Sequence, residues 1–280
     1  MPVPDASHRL RLLIDAALVV AFALVVLGGV VRVGDAGLGC GPAGSGLHGW
    51  PLCRGGLVPT THGHTILEYS HRFLAAALVV LLVAILWVVL ARARDRRALV
   101  WGAAAALALI VPQALLGALT VEHGLDSALV AAHLGVAMVL LAILLALALA
   151  VRDRLGTAPA SPLLRVLATV SCLSLLAAIV AGGLVAGSEL HGTPGAGGAV
   201  GAHMACGPDF PSCNGALLPF GEGEAVDLQL THRLAVLLAA AASISLAVAL
   251  GRHGLGGLGL AIGMVLAIQL WLGAMNVWAG

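Results

Sequence analysis

The sequence has very few charged residues and no lysine. Only 10% of its 280 residues are charged, against about 25% in a soluble globular domain, so the composition excludes an ordinary water-soluble domain. All 14 basic residues are arginine, the net charge at pH 7 is +1 and no basic block occurs, so nothing indicates nucleic-acid binding. The first ten residues carry no cleavage site or transit-peptide pattern, which favours a bacterial plasma-membrane protein over an organellar precursor.

Long apolar runs dominate the sequence instead. Hydrophobic residues make up 60% of the chain, and stretches such as 73–91 and 127–151 contain no Asp, Glu, Lys or Arg. A helix of about 20 apolar residues crosses the hydrocarbon layer of a bilayer, so such runs predict transmembrane helices. We expect an all-α polytopic membrane protein surrounded by lipid. Its seven predicted spans lie at about 11–33, 66–91, 99–120, 127–151, 163–187, 228–250 and 256–278.

The arginines lie mainly on one side of these spans. Cytoplasmic loops carry an excess of basic residues, so we expect a cytoplasmic N-terminus and outward-facing loops at 34–65, 121–126 and 188–227. The residues that set this orientation are Arg9, Arg11, Arg92, Arg94, Arg96, Arg97, Arg152, Arg154, Arg165 and Arg252. The first outward loop holds Arg54, with Arg32 at its edge, and the other two hold none. Any chemistry is predicted on the outward side, where the cysteine-bearing loops lie.

The chain repeats itself. The segment Gln113-Ala-Leu-Leu-Gly-Ala-Leu-Thr-Val reappears 156 residues later as Gln269-Leu-Trp-Leu-Gly-Ala-Met-Asn-Val. Glu68-Tyr-Ser-His71-Arg72 likewise matches Gln229-Leu-Thr-His232-Arg233, and Gly28-Gly29 matches Gly182-Gly183. We therefore expect two four-helix halves in parallel repetition, 1–155 and 156–280. The counterpart of His133 would fall near position 289, so we expect an eighth span with a fourth histidine that this sequence does not include.

Three histidines lie inside predicted spans, near their outward ends: His71, His133 and His232. An ionisable group at membrane depth is costly and marks a functional site by default. Two imidazoles from facing helices form an axial pair for haem iron. Any one of them alone could equally be a histidine hydrogen-bonded to a neighbouring helix. Three at similar depth, two of them repeat-related, favour the ligand interpretation.

Glu68 lies three residues before His71, and so on nearly the same helix face. Its carboxylate can pair with Arg72, hold a substrate or move protons, whereas the repeat has the neutral Gln229 there. This difference predicts that one half handles a reaction and the other houses a fixed cofactor; a structural ion pair is the alternative. Arg72 and Arg233 follow their histidines, and either can meet haem propionates or extend towards water.

The two long outward loops each contain a cysteine pair. Cys40 and Cys53 lie in the first, and Cys206 and Cys213 in the third. An exported compartment permits disulfides, and one bridge within each loop is the simplest connectivity. Structural bridges and redox-active pairs both fit this placement. The remaining histidines match no ligand spacing, so no other metal site is expected.

These motifs together resemble the haem A synthase family over nearly the whole chain. The resemblance rests on Gly37-Leu-Gly-Cys40, Trp50-Pro-Leu-Cys53, Glu68-Tyr-Ser-His71-Arg72, Gln113-Ala-Leu-Leu-Gly-Ala-Leu-Thr, Ala132-His133-Leu-Gly, Phe210-Pro-Ser-Cys213-Asn-Gly and Thr231-His232-Arg233. Twelve residues separate Cys40 from Cys53, more than the family pattern suggests, so an insertion is expected within 41–49.

The resemblance implies an eight-helix membrane enzyme that oxidises a ring methyl of haem O to the formyl group of haem A, which terminal oxidases use. It implies that His71 and His133 ligate the substrate haem iron and that Glu68 is required nearby. It further implies that His232 is one ligand of a haem b cofactor in the C-terminal half, and that Cys40 and Cys53 are redox-linked to turnover. The enzyme that supplies haem O is the expected partner.

Two other functions share some of these features. A di-haem electron carrier of the cytochrome b type needs the histidines but not Glu68. A membrane thiol–disulfide carrier needs the cysteine pairs but no haem. The sequence leaves open the electron donor, the source of the inserted oxygen and whether the chain forms a homo-oligomer.

Overall fold

The computed structural model describes residues 4–57, 63–153, 161–188 and 201–279. Seven long helices account for most of these residues, and no described residue belongs to a β-strand. The helices are α1 Pro4–Val33, α2 Gly63–Arg92, α3 Arg97–Glu122, α4 Ser127–Ala150, α5 Pro162–Gly187, α6 Glu224–Arg252 and α7 Gly256–Ala279. Arg154 and the predicted boundary between the two halves lie outside the described residues.

All seven helices are long and apolar enough to cross a membrane. Each lies where an apolar run predicts a span, and most extend the predicted bounds by only a few residues. The expected all-α fold with seven spans is therefore confirmed, and the protein is a multi-pass membrane protein. Two short 3₁₀ helices, Gly46–His48 and Ala202–Met204, lie within the two cysteine-bearing loops.

The chain divides into two compact units. Unit 1 comprises Met1–Leu125 and Ala132–Thr157, and unit 2 comprises Asp126–Ala131 and Ala158–Gly280. Unit 1 thus contains α1, α2, α3 and most of α4 with the first cysteine loop. Unit 2 contains α5, α6 and α7 with the second cysteine loop. The division predicted from the repeat, at 155/156, stays a prediction.

The apolar core of unit 1 lies towards the helix ends that are remote from the cysteine loop. Its fully buried side chains include Ile14 from α1, Ile85 from α2, Leu99 from α3 and Leu144 from α4. At this same end Arg152 donates to Asp15 over 2.5 Å, which ties the segment after α4 to α1. Because packing is concentrated there, the loop-proximal parts of the four helices are left to hold polar side chains.

Polar side chains at the starts of α4 and α5 accept hydrogen bonds from backbone amides of the first helical turn. The carboxylate of Asp126 accepts from the amides of Ala128 and Leu129 at 2.9 and 3.1 Å. Ser161 accepts from the Leu164 amide at 3.2 Å, and Pro162 follows it at the first helical position. Ser and Asp at this position, with proline next, are the usual signals of a helix start. Local sequence therefore fixes where both helices begin.

Candidate functional site

The first cysteine loop lies directly on the start of α2. The Gly39 carbonyl accepts from the buried Thr65 hydroxyl at 2.9 Å. A Cβ built on Gly39 would lie 2.6 Å from the carbonyl carbon and oxygen of His64, so only glycine permits this approach. The disulfide Cys40–Cys53 then closes the loop. This places the Cys40 backbone over the next turn of α2.

Glu68 accepts a hydrogen bond from that backbone. Its Oε2 accepts from the Cys40 amide at 2.7 Å, and its Oε1 forms an ion pair with Arg72 one turn later on α2. Glu68 is only 4% exposed. A carboxylate this deeply buried needs paired charge and hydrogen bonds to remain ionised, and these two contacts supply both. The ion pair considered from the sequence is thus present, together with a contact to the disulfide that spacing alone did not indicate.

Arg72 also donates hydrogen bonds to two backbone carbonyls of the first cysteine loop. Its Nη1 donates to the carbonyls of Gly49 and Leu52 at 2.5 and 2.9 Å. These two residues flank the cis peptide bond Trp50–Pro51. Contact of Arg72 with a haem propionate stays a prediction, and the structure gives its guanidinium a role in positioning the loop.

Unit 2 repeats this arrangement without the acid. Arg233 donates to the carbonyls of Ser212 and Asp209 at 2.5 and 3.0 Å, around the cis bond Phe210–Pro211. The disulfide Cys206–Cys213 closes the loop, so both predicted disulfide pairings are confirmed. The repeat counterpart of Glu68 is Gln229, which is 5% exposed and whose Oε1 has no hydrogen-bond partner in the part of the chain that the structure describes. Contact of Arg233 with a propionate likewise stays a prediction.

The expected insertion lies against the end of α3. The paired cysteines are 13 residues apart in the first loop and 7 in the second. Within the longer loop, the Gly44 amide donates to the Glu122 carbonyl at 3.1 Å, and the Gly46 amide to Glu122 Oε2 at 3.1 Å. The extra residues therefore link the first loop to the α3–α4 turn, a contact for which the second loop has no equivalent residues.

We expect loss of the first disulfide to destabilise the protein more than loss of the second. A disulfide stabilises a protein chiefly by lowering the conformational entropy of the unfolded chain. For a closed loop of about 15 residues this contributes about 3 kcal/mol to the free energy of unfolding. The Cys40→Ser/Cys53→Ser protein should lose that amount and also the fixed position of the amide bonded to Glu68. The Cys206–Cys213 disulfide closes a shorter loop, so the Cys206→Ser/Cys213→Ser protein serves as the matched control. Thermal unfolding in detergent micelles measures both, and equal losses would contradict the ordering.

The three histidines lie on three helices, six to eight residues after the helix start. His71 belongs to α2, His133 to α4 and His232 to α6. At 1.5 Å per residue this is about 9–12 Å into each helix. His71 and His133 belong to the same unit and lie within electrostatic range of each other. The pair that the sequence assigns to one haem iron therefore lies within one unit, and ligation of iron by it stays a prediction.

The three imidazoles are mostly buried, and none of their Nδ1 atoms has a hydrogen-bond partner among the described residues. Nε2 of His133 lies 3.3 Å from the amide nitrogen of Gln113 on α3. An amide NH₂ can only donate, so in this contact Nε2 is the acceptor and the ring proton resides on Nδ1. Gln113 is a site residue that motif analysis did not single out, although its recurrence as Gln269 was a signal.

These residues fit a haem group. Iron takes an imidazole through a nitrogen lone pair, and helix bundles place such ligands on inward-facing positions. Largely buried imidazoles whose Nδ1 atoms have no partner among the described residues, two of them within unit 1, have the required chemistry. Among the residues that the structure describes, no cluster of three His, Cys, Asp or Glu side chains could hold another metal ion.

Comparison with known proteins agrees with this chemistry. A family model described as COX15-CtaA, cytochrome oxidase assembly protein, matches residues 11–280. The chain belongs to this family. The match includes all of α2 to α7 and most of α1, so both cysteine loops and His71, His133 and His232 lie inside the family region.

Several bacterial relatives carry the name heme A synthase. That of Halalkalibacterium halodurans is 32% identical over 222 residues, which is 76% of this chain and 66% of the relative. Those of Alkalihalophilus pseudofirmus and Symbiobacterium thermophilum are 39% and 40% identical over 46% and 41% of this chain. The aligned regions span 43% and 37% of these two relatives, so the chain covers less than two thirds of each of the three.

Proposed function

We propose that this protein is a haem A synthase, which oxidises a ring methyl of haem O to a formyl group. The observation that carries the proposal is the set of polar groups buried in unit 1. The imidazoles of His71 and His133 lie within electrostatic range of each other there, and His71 shares its helix with a buried carboxylate held by the disulfide loop. The family and the names of the bacterial relatives support the same conclusion.

The residues of unit 1 have distinct roles in this proposal. His71 and His133 ligate the iron of the substrate haem from two helices and so fix the plane of its ring. Gln113, 3.3 Å from His133 Nε2, releases that nitrogen when iron is bound. Glu68 lies one turn before His71, where it can orient the reacting edge of the haem or accept a proton from it.

The reaction needs both a proton acceptor and an electron acceptor. Written as half-reactions, methyl and one water give hydroxymethyl with release of two electrons and two protons, and hydroxymethyl gives formyl with release of two more of each. Glu68 is the only buried carboxylate among the described residues, which makes it the candidate proton acceptor. A haem b in unit 2, with His232 as one ligand, would supply one-electron transfer. Gln229 fits this division because a fixed cofactor needs no proton acceptor.

The cell context follows from the family. The protein is proposed to lie in the bacterial plasma membrane with a cytoplasmic N-terminus and with its cysteine loops and haem sites on the outward side. Its proposed partners are membrane lipid, haem O and the enzyme that supplies haem O. The same chemistry would serve a homo-oligomer or a monomer.

Haem extraction tests the proposal. The chain is produced together with a source of haem O, and extracted pigments are identified by chromatography and by their pyridine haemochrome spectra. We expect haem A with the unaltered protein and none with His71→Ala. His64→Ala is the matched control, because His64 lies on the same helix, is exposed and has a ring that bonds to the Asp35 carbonyl in the loop, not to another helix.

The outcomes also separate the rival functions. A b-type electron carrier would bind haem and leave haem O unchanged. A thiol–disulfide carrier would work without haem and would be inactivated by Cys53→Ser but not by His71→Ala. Either result would contradict the proposal, provided that size-exclusion chromatography shows the variant protein to be folded.

A further inference from the structure

Each of the three candidate ligands, His71, His133 and His232, packs against a glycine of another helix. A Cβ built on Gly28 would lie 3.3 Å from Cε1 of His71, and one on Gly117 would lie 3.3 Å from Cε1 of His133. In unit 2 a Cβ on Gly182 would lie 2.9 Å from Cε1 of His232. In every case Nδ1 is the next nearest ring atom. The same edge of each imidazole therefore faces a glycine.

These three glycines occupy the same place in their helices. Gly28, Gly117 and Gly182 each lie five residues before the helix ends, at Val33, Glu122 and Gly187 respectively. The contact is not a general property of glycine in this protein, because a Cβ on the adjacent Gly29 meets nothing within 4 Å. The glycines thus form a set defined by their contact with the histidines.

A backbone carbonyl lies near two of these rings, although neither forms a regular hydrogen bond with Nδ1 in this structure. The carbonyl of Gln113 is close enough to influence His133 electrostatically, and that of Ala178 to influence His232. Each carbonyl lies four residues before the contacting glycine, Gly117 or Gly182, and so belongs to the helical turn beneath it. A helix carbonyl has a second lone pair that can accept from a side chain. A side chain at the glycine would cover that approach.

The geometry points to Gly28, Gly117 and Gly182 as positioning residues for haem ligation. The missing side chain lets the Nδ1 edge of the imidazole lie against the helix backbone, where a carbonyl can accept its proton. Nε2 then carries the lone pair that can bind iron. Metal-bound histidines usually donate their other ring N–H to such an acceptor, which fixes the tautomer and the ring orientation. This inference rests on the proposed haem ligation.

Haem titration of the detergent-purified protein tests it in unit 1. Hemin is added to the unaltered protein and to Gly28→Ala, Gly117→Ala and Gly29→Ala, and the low-spin Soret band that depends on His71 is followed. We expect Gly28→Ala and Gly117→Ala to weaken hemin binding about 10- to 100-fold, as loss of a group that orients a metal ligand does. They should also alter the low-spin electron paramagnetic resonance signal. Gly29→Ala should match the unaltered protein in both.

A second measurement distinguishes contact with the ring from a general effect on folding. Alanine favours helix over glycine, so a substitution in open space should leave the melting temperature unchanged or raise it. Gly28→Ala should lower the melting temperature of the unaltered protein but not of His71→Ala, because the imidazole it strikes is then gone. Equal effects in both backgrounds, or hemin binding by Gly28→Ala equal to that of Gly29→Ala, would overturn the inference. Absence of any band dependent on His71 would instead overturn the proposed function on which it rests.

Discussion

Replacing Glu68 by glutamine is expected to lower haem A formation about 100- to 10,000-fold, the usual contribution of a positioned proton acceptor. The variant should still fold and bind haem. A glutamine keeps a carbonyl oxygen that can accept from the Cys40 amide, and it has nearly the size of glutamate. The protein already holds a buried amide, Gln229, at the repeat-related position of unit 2. What the substitution removes is the charge and the ability to accept a proton. Haem A per mole of purified protein measures the effect, with hemin titration run on the same sample.

Glu122→Gln is the matched control for this experiment. Glu122 is also a glutamate whose side chain accepts a hydrogen bond from the first cysteine loop, 3.1 Å from the Gly46 amide nitrogen to Oε2. Unlike Glu68, it is exposed. Its substitution should leave haem A formation unchanged. Haem A formation at the normal rate by Glu68→Gln would show that the Glu68–Arg72 pair is structural only.

The transmembrane helices could be predicted from the sequence because membrane insertion depends on composition along a single segment. The apolar run predicted at 66–91 is the helix Gly63–Arg92, and that at 256–278 is Gly256–Ala279. The disulfides were equally accessible, since each pair lies within one short loop. The internal repeat indicated that His232 corresponds to His71. Its further expectation, a histidine near position 289, stays a prediction.

Contacts between distant segments could not be predicted in the same way. Arg72 was expected to reach either a propionate or water, because nothing in its own helix shows that loop carbonyls 20 and 23 residues earlier turn towards it. The packing of Gly28 on His71 depends on how two helices cross. Gly28 and Gly182 were recognised as repeat-related, but that signal did not reveal their histidine contacts. The contact of the 41–49 insertion with Glu122 likewise arises only in the folded chain.

Removing the Arg72 side chain is expected to destabilise the protein by about 3–5 kcal/mol, because it leaves the buried carboxylate of Glu68 without its countercharge. The first cysteine loop would also lose its hydrogen bonds at Gly49 and Leu52.

Arg233→Ala is the matched control. Arg233 holds the second loop by equivalent carbonyl contacts, but its repeat-related neighbour is the neutral Gln229 and no described carboxylate forms a salt bridge with it. Its loss should therefore cost less, about 1.5–3 kcal/mol for hydrogen bonds from a charged donor. Unfolding of both variants in the same detergent measures the difference.

The double variant Glu68→Gln/Arg72→Ala identifies the cause of that difference. If an unpaired buried charge is responsible, neutralising Glu68 should recover part of the stability that Arg72→Ala loses, so the two substitutions should not add. Additive losses, or equal losses for Arg72→Ala and Arg233→Ala, would mean that Glu68 is not ionised at this site in the folded protein. Glu68 would then hold a proton rather than accept one, and the direction of proton transfer proposed for it would have to be reversed.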